Sequence, residues 1–363
     1  MKLNTIDMNN LGLTEEFIQE AKSYKDLFIG RVTSQYKNLY KVMTENGEMT
    51  AEVSGKFHYR VKDFSEYPAV GDFVMVDRTD DSQGNGIIHC TLARRSVFVR
   101  KSAGSKEDIQ VVAANIDTVF ICMSLNNDFN LRRLERYLAI AWDSGAIPVI
   151  VLTKSDLCKD LETKLNEVAA IALGVEVLVT TSTSDEGYQS LNRFLSNGKT
   201  IAFIGSSGVG KSTLINCLLG QEVLDTNGIR NDDKGRHTTT RRELIILPNR
   251  GVVIDTPGMR ELGVIRADLS KSFSDIDELA ASCRFNDCTH KNEPNCAVQQ
   301  AIKDGRLPAE RLESYWKLKK ESKYEGLNSK MIEKEKISEM FSGMGGMKNA
   351  RKYIKEQGRK KRR

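Results

Sequence analysis

Residues Gly205-Ser206-Ser207-Gly208-Val209-Gly210-Lys211-Ser212-Thr213 fill every fixed position of the pattern G-x-x-x-x-G-K-[ST]. An apolar run at 201–204 precedes them and a second at 214–219 follows, so the spacing predicts a strand, a glycine turn and a helix start. Glycines let backbone N–H groups converge on phosphate oxygens, and the helix N-terminus adds a favourable dipole. Lys211 is placed to reach β- and γ-phosphates, and the Ser212 hydroxyl to ligate Mg²⁺. In this setting the pattern implies a nucleoside triphosphate.

Four other stretches narrow the nucleotide. Thr153-Lys154-Ser155-Asp156 ends a predicted strand at 148–152. There Asp156 can accept hydrogen bonds from the guanine N1–H and 2-amino group, which adenine cannot reproduce, while Lys154 packs along the ring. Thr180-Thr181-Ser182-Thr183 ends the next strand, and Ser182 is the candidate for a backbone contact to the guanine O6. Asp255-Thr256-Pro257-Gly258 follows another apolar run. Asp255 is expected to hold Mg²⁺ through water and the Gly258 N–H to bind the γ-phosphate. Between these lies Gly235-Arg236-His237-Thr238-Thr239-Thr240, where one threonine, with Thr239 favoured over Thr238 and Thr240, would complete the Mg²⁺ shell. Together these residues specify GTP. Their order is unusual, because the base-reading motifs precede the phosphate loop. One site can form from them only in a circularly permuted domain, whose switch after Asp255 leads straight into the C-terminal part.

A second kind of chemistry follows. Cys283-x4-Cys288-x-His290-x5-Cys296 supplies three thiolates and an imidazole within a short segment. Such a set suits tetrahedral Zn²⁺ with no position left for water, hence one structural metal that folds a segment poor in apolar surface. The chain has seven cysteines, and Cys90, Cys122, Cys158 and Cys217 read as ordinary packed residues.

The elements that must position these groups begin with a short helix capped by Thr14. Several short strands follow, with Asn46-Gly47 predicted as a hairpin turn and further strands at 70–76 and 87–90. They suggest an OB-type barrel, either an oligonucleotide binder or a purely structural unit. Beyond residue 101 the pattern becomes βαβ. Runs at 111–114, 117–122 and 148–152 read as buried parallel strands, and 131–142 as a helix. Helices are expected at 297–302 and 308–318, then a glycine-rich hinge at 341–347 and a basic run at 359–363. The expected fold is an α/β circularly permuted P-loop GTPase domain (106–268). An N-terminal helical extension (1–26) and an OB-fold β-barrel (27–101) precede it, and a zinc-binding helical domain (269–330) and a basic flexible tail (331–363) follow.

The 363 residues are 40% hydrophobic, with no apolar run of membrane length and no secretory leader pattern, so a soluble cytoplasmic protein is expected. The net charge of +5 is uneven: residues 316–363 hold 16 Lys/Arg against 6 Asp/Glu, and the rest 38 against 43. A basic tail on an acidic body points to a polyanion, either nucleic acid or an anionic surface, or is simply a solvated tail.

The permuted motif order, GSSGVGKST, GRHTTT, DTPG, the barrel and the Cys/His cluster together resemble the RsgA (YjeQ) family over about residues 27–316. These are GTPases dependent on the small ribosomal subunit. The resemblance implies GTP and GDP as ligands and the small subunit with its rRNA as partner. It further implies a role in late subunit assembly, with hydrolysis coupled to release, by a cytoplasmic monomer with no membrane partner. It also assigns His237 a catalytic role, since Met259 stands where Ras-like enzymes carry a water-orienting Gln. Two departures stand out. Thr153 replaces the usual Asn of the guanine motif, removing one possible bond to the base, and Gly208 stands where potassium-activated GTPases carry Asn. The rival functions are a slow-turnover, nucleotide-gated RNA-binding switch and a membrane-surface GTPase that uses the tail.

Overall fold

The computed structural model describes residues 5–101, 109–184, 187–224, 243–247, 250–255 and 269–323. A 3-10 turn (Met8–Leu11) and helix α1 (Glu15–Ala21) open the chain, with Thr14 at the N-cap position of α1. Strands β1 (Phe28–Gln35), β2 (Tyr40–Thr44) and β3 (Gly47–Val53) lead to helix α2 (Gly55–Arg60), then to β4 (Phe73–Val76) and β5 (Gly86–Thr91). These strands are ordered β1-β2-β3-β5-β4, and β4 pairs back onto β1, so the barrel closes without free edges. Alternating residues fill it: Val32, Tyr40, Val42, Met49, Ala51, Val74, Val76 and Ile88. Pairing of Thr44 with Gly47 makes Glu45-Asn46 the hairpin turn rather than Asn46-Gly47. The glycine instead opens β3 at φ 133°.

Strands β6 (Val97–Lys101) and β7 (Ile109–Ala114) pair with each other as an antiparallel ribbon. The run at 111–114 is therefore no part of the parallel sheet expected for it. Its neighbours cover it from both sides, which gives the same continuous apolar signature as a parallel strand. Next come β8 (Thr118–Ser124), α3 (Leu131–Ser144), β9 (Ile147–Thr153), α4 (Leu161–Ala169), β10 (Glu176–Val179) and β11 (Thr200–Ile204). Helix α5 (Lys211–Leu219), β12 (Glu243–Leu247) and β13 (Gly251–Asp255) complete the sheet. Its order is β10-β9-β8-β11-β13-β12, parallel except for β12 at the edge, which meets β1 through the pair Ser34–Glu243.

The period of two in β8 sorts its side chains between two cores. Phe120 and Cys122 join Phe203, Leu214 and Ile215 on the α5 face. Val119, Ile121 and Met123 face Leu134 and Leu138 of α3 on the other side. Outside α3 lie α6 (Ser274–Ala280), α7 (Ala297–Lys303) and α8 (Ala309–Lys323), which pack Phe273, Val298, Leu312 and Tyr315 into that second core. No helix among the described residues is long and apolar enough to cross a membrane.

At the junction of barrel and sheet, β1 buries Arg31 completely. The guanidinium donates to the Leu11 carbonyl, to Gly71 O (3.3 Å), to Asn115 O (3.5 Å) and to Thr200 Oγ1 (2.8 Å), and its Cζ lies 5.0 Å from the Phe73 ring centroid. Burial pulls its pKa down to about 9, which leaves it charged at neutral pH. Arg31→Ala strips these acceptors of a donor and opens a cavity. We expect it to destabilise the protein by about 3 kcal/mol or more, measured by urea unfolding, with the barrel parting from the sheet first.

Candidate nucleotide site and metal centre

The loop after β11 begins at Gly205, where a Cβ would stand 2.5 Å from the Cys122 carbonyl oxygen at a φ of +148°. Only glycine fits that approach. Gly210, at φ 97°, immediately precedes α5, so the chain turns sharply and presents its amides at the helix start. The Lys211 ammonium donates to Gly205 O (2.9 Å) and Ser206 O (2.7 Å), which places it over the loop. Beneath the loop, burial pushes the Cys122 thiol up to about 12, so it is an inert packing group.

Two side chains of the guanine motif hold this loop from behind. The buried Thr153 hydroxyl donates to Val209 O at 2.6 Å, and the Lys154 ammonium donates to Gly208 O, also at 2.6 Å. Lys154 has a left-handed backbone (φ 58°), a costly conformation for a residue with a Cβ and a common one at functional sites. The hydroxyl that replaces the usual Asn amide is therefore committed to the phosphate loop. Ser155 N–H donates to Thr180 O at 3.2 Å, and the exposed Asp156 accepts from the Thr181 hydroxyl at 2.6 Å, so the two predicted base-reading loops form one surface. Ser182 is exposed beside them.

Asp255 ends β13 on the strand next to β11. Its cross-strand partner is Glu243, another carboxylate, and like charges placed opposite each other repel. Burial raises the Asp255 pKa, the Lys211 charge lowers it and Glu243 raises it further. This half-buried acid facing an ammonium, with the Ser212 hydroxyl at the start of α5, is a donor set that fits Mg²⁺ held on a triphosphate. His237, Thr238, Thr239, Thr240, Gly258 and Met259 lie outside the described residues, as do the hinge at 341–347 and the basic run at 359–363.

Sequence reasoning missed two groups at this end of the sheet. Arg133, in the first turn of α3, donates to Ser206 Oγ (2.9 Å) and Asp128 Oδ2 (2.8 Å), and Ser206 Oγ donates to the same carboxylate oxygen at 2.8 Å. Neither residue belongs to a recognisable motif. The local feature that could have marked the start of α3 is Asn130, whose side chain accepts from Arg133 N at 2.9 Å and caps the helix.

In the C-terminal segment the ligand atoms of Cys283, Cys288, His290 and Cys296 all lie within 4.8 Å of one another. The Cys283–Cys296 sulfur separation is 3.8 Å, and His290 Nδ1 stands 3.6 Å from Cys283 Sγ and 3.5 Å from Cys296 Sγ. Tetrahedral Zn²⁺ with metal–sulfur bonds of about 2.3 Å requires sulfur atoms roughly 3.8 Å apart, so the residues fit one structural zinc. Burial, then the Lys319 charge, lowers the His290 pKa and keeps a nitrogen lone pair available. Glu293 organises the turn between ligands, accepting from Thr289 N and Oγ1, Lys291 N and Asn292 N. Trp316 of α8 donates to Thr289 O at 3.2 Å and fastens the knuckle to the helices.

The family model described as RsgA GTPase matches residues 91–265. An ABC transporter model matches 188–349, a span that includes the same phosphate loop. A protein of Lactiplantibacillus plantarum named small ribosomal subunit biogenesis GTPase RsgA 2 is 50% identical over 96% of this chain and 98% of its own length. A Methanosarcina acetivorans protein named small ribosomal subunit biogenesis GTPase RsgA is 42% identical over 98% of this chain and 96% of its own. Among solved structures, YjeQ from Thermotoga maritima superposes with a TM-score of 0.59 at 27% identity, covering 82% of this chain and 98% of that one. YloQ, described as a circularly permuted GTPase, gives 0.57 at 25%, covering 83% and 96%.

Replacing Cys288 by serine is expected to lower bound zinc from one per chain to well below one, read by elemental analysis. Melting of the C-terminal helices should shift downward, and chelation of the unmodified protein should reproduce that shift.

Proposed function

The chain belongs to the RsgA GTPase family, and from that premise we propose that it binds the small ribosomal subunit through its rRNA. There it couples GTP hydrolysis to late subunit assembly and to its own release. The ribosomal half of this reading rests on the relatives' names, and the nucleotide half on the convergence at the same end of one sheet of the phosphate loop, the Thr153–Asp156 loop tied to it, and Asp255. That is where an open parallel sheet binds its ligand, at the carboxyl ends of its strands.

In this reading the amides of residues 205–213 cradle the phosphates, and Lys211 leaves the carbonyls it now contacts for β- and γ-oxygens. Asp156 reads the guanine edge, with Ser155 and the Ser182 backbone closing the base pocket. Ser212, Asp255 and Thr239 would hold Mg²⁺, whose charge offsets that developing on the phosphates, and the Gly258 N–H would bind the γ-phosphate. His237 orients the attacking water, a task Met259 cannot perform. The division into an extension (1–26), barrel (27–101), GTPase domain (106–268), zinc domain (269–330) and tail (331–363) belongs to the same reading. So do monomeric action in the cytoplasm and the lack of a membrane partner.

Purified small subunits are expected to raise GTP turnover severalfold or more. His237→Ala should abolish that stimulation while leaving GTP affinity within about twofold. Stimulation that survives His237→Ala overturns the role of the histidine, and no stimulation of the unmodified protein overturns the coupling to the ribosome. Turnover that responds to anionic vesicles instead would favour a membrane-surface enzyme.

A further inference from the structure

The contacts that hold the phosphate loop come from two directions. Thr153 and Lys154 bind its middle, at Val209 and Gly208, from the guanine side. Its opening turn is held at Ser206 by the triangle with Arg133 and Asp128. The triangle is closed: each of the three side chains bonds the other two at 2.8–2.9 Å. An acid in this place is an electrostatic liability. Asp128 touches the second residue of a loop built to receive a triphosphate, so its charge opposes the phosphates, moderated by solvent at a side chain that is 42% exposed.

Resting on the GTP-binding reading above, we propose that Arg133 is a positioning residue for the nucleotide. It fixes the Ser206 turn and cancels the Asp128 carboxylate against the phosphates. The pair is matched in geometry and sign: Arg133 meets one carboxylate oxygen directly and reaches the same oxygen again through Ser206. The carboxyl is held below its ordinary pKa, first by the hydrogen bond from Arg133 and then by that from Ser206, so it stays ionised and must be neutralised. Arg133 is 28% exposed and Asp128 42%, so water and salt partly screen the pair, and its effect on the nucleotide must depend on ionic strength. The first turn of α3 supplies the rigid base, since the Asn130 side chain caps it at the Arg133 amide. Arg133 acts through Ser206 and Asp128 and makes no contact of its own with reacting atoms in this scheme.

The test is the affinity of the full-length protein for a fluorescent GTP analogue, measured at low and high salt alongside melting temperatures. Arg133→Ala is expected to weaken binding about tenfold at low salt, with the deficit shrinking as salt rises. Asp128→Asn alone should stay within about threefold of the unmodified protein, because it removes the liability together with one tether. The double variant Arg133→Ala/Asp128→Asn should regain most of the loss, which a purely structural arginine would not allow. If Arg133→Ala does not fold, Arg133→Gln keeps the stem, loses the charge and carries the same expectation. Affinity within twofold for the charge-loss variant, or a double variant as weak as the single, overturns the proposal. Failure of the unmodified protein to bind the analogue would bring down the GTP site itself, a different result from failure of Arg133 alone.

Discussion

The guanidinium of Arg31 ties together pieces of chain that are far apart in sequence. It belongs to β1, yet its bonds run to Leu11 in the N-terminal turn, Gly71 in the barrel, Asn115 before β8, and Thr200 at the start of β11. A buried charge is costly unless its hydrogen-bonding capacity is met, and here neutral acceptors meet it, most of them backbone carbonyls whose positions the fold has already fixed. Strand β11 is the one that runs into the phosphate loop. Asp117 adds a second anchor there by accepting the Thr200 amide at 2.8 Å. The barrel is therefore registered against the base of the nucleotide strand through hydrogen bonds of defined direction. A second buried pair steadies the same junction: Arg94 grips both Asp72 oxygens, at 2.8 and 2.7 Å, offsetting the burial that would otherwise raise that carboxyl further.

Helix α3 plays the corresponding part on the other side. Its inner face fills the core against β8 and β9, and its first turn meets the phosphate loop through Arg133. The charged residues beside that turn point the other way. Glu135 accepts from Arg132 at 2.6 Å and from the almost fully buried Arg311 of α8 at 3.0 Å, while Arg311 also meets Asp275 of α6 at 2.6 and 2.7 Å. Arg136 reaches Glu321 further along α8. One helix thus touches the nucleotide loop and the helices beside the Cys/His knuckle. Such contiguity is a physical route for coupling, and it acts only if one of the two ends has a second arrangement to move to.

The contiguous motifs were legible in the sequence because each is a short run with a local physical cause. Gly205 and Gly210 are needed for a close approach and a left-handed turn, and the Cys283–Cys296 spacing suits one tetrahedral ion. The barrel could be read from strand length and turn residues. Contacts that join distant segments could not. Nothing near Arg31 announces that it will be buried at a junction, because its partners are mostly main-chain carbonyls that any residue could provide. Arg133 and Asp128 matter only because β8 and β11 are neighbours in the sheet. The run at 111–114 misleads for a related reason, since hydrophobicity records that a strand is covered and not what covers it. Thr153 reads in the sequence as a missing bond to the base, and its value as a tether emerges only beside Val209.

Circular permutation leaves the sheet order intact and changes only which loops are continuous. Two consequences follow for a nucleotide switch. The stretch after β10, which carries Thr181 and Ser182, now runs through the 3-10 turn Gln189–Phe194 into β11 and so leads directly to the 205–213 loop, while Thr153 and Lys154 bond that loop from the neighbouring strand. Asp255, at the end of β13, is followed after only 13 residues by Leu269, which is buried with Phe273 and Ile276 in the core shared with α3. Phe273 in turn meets Tyr315 of α8, with ring centroids 5.5 Å apart. In an unpermuted GTPase the strand carrying the metal-binding Asp leads onward to the rest of its own domain. In this chain the 13 residues after Asp255 are followed instead by α6 and the Cys283–Cys296 cluster, so the strand that ends at Asp255 and that cluster are neighbours along the chain.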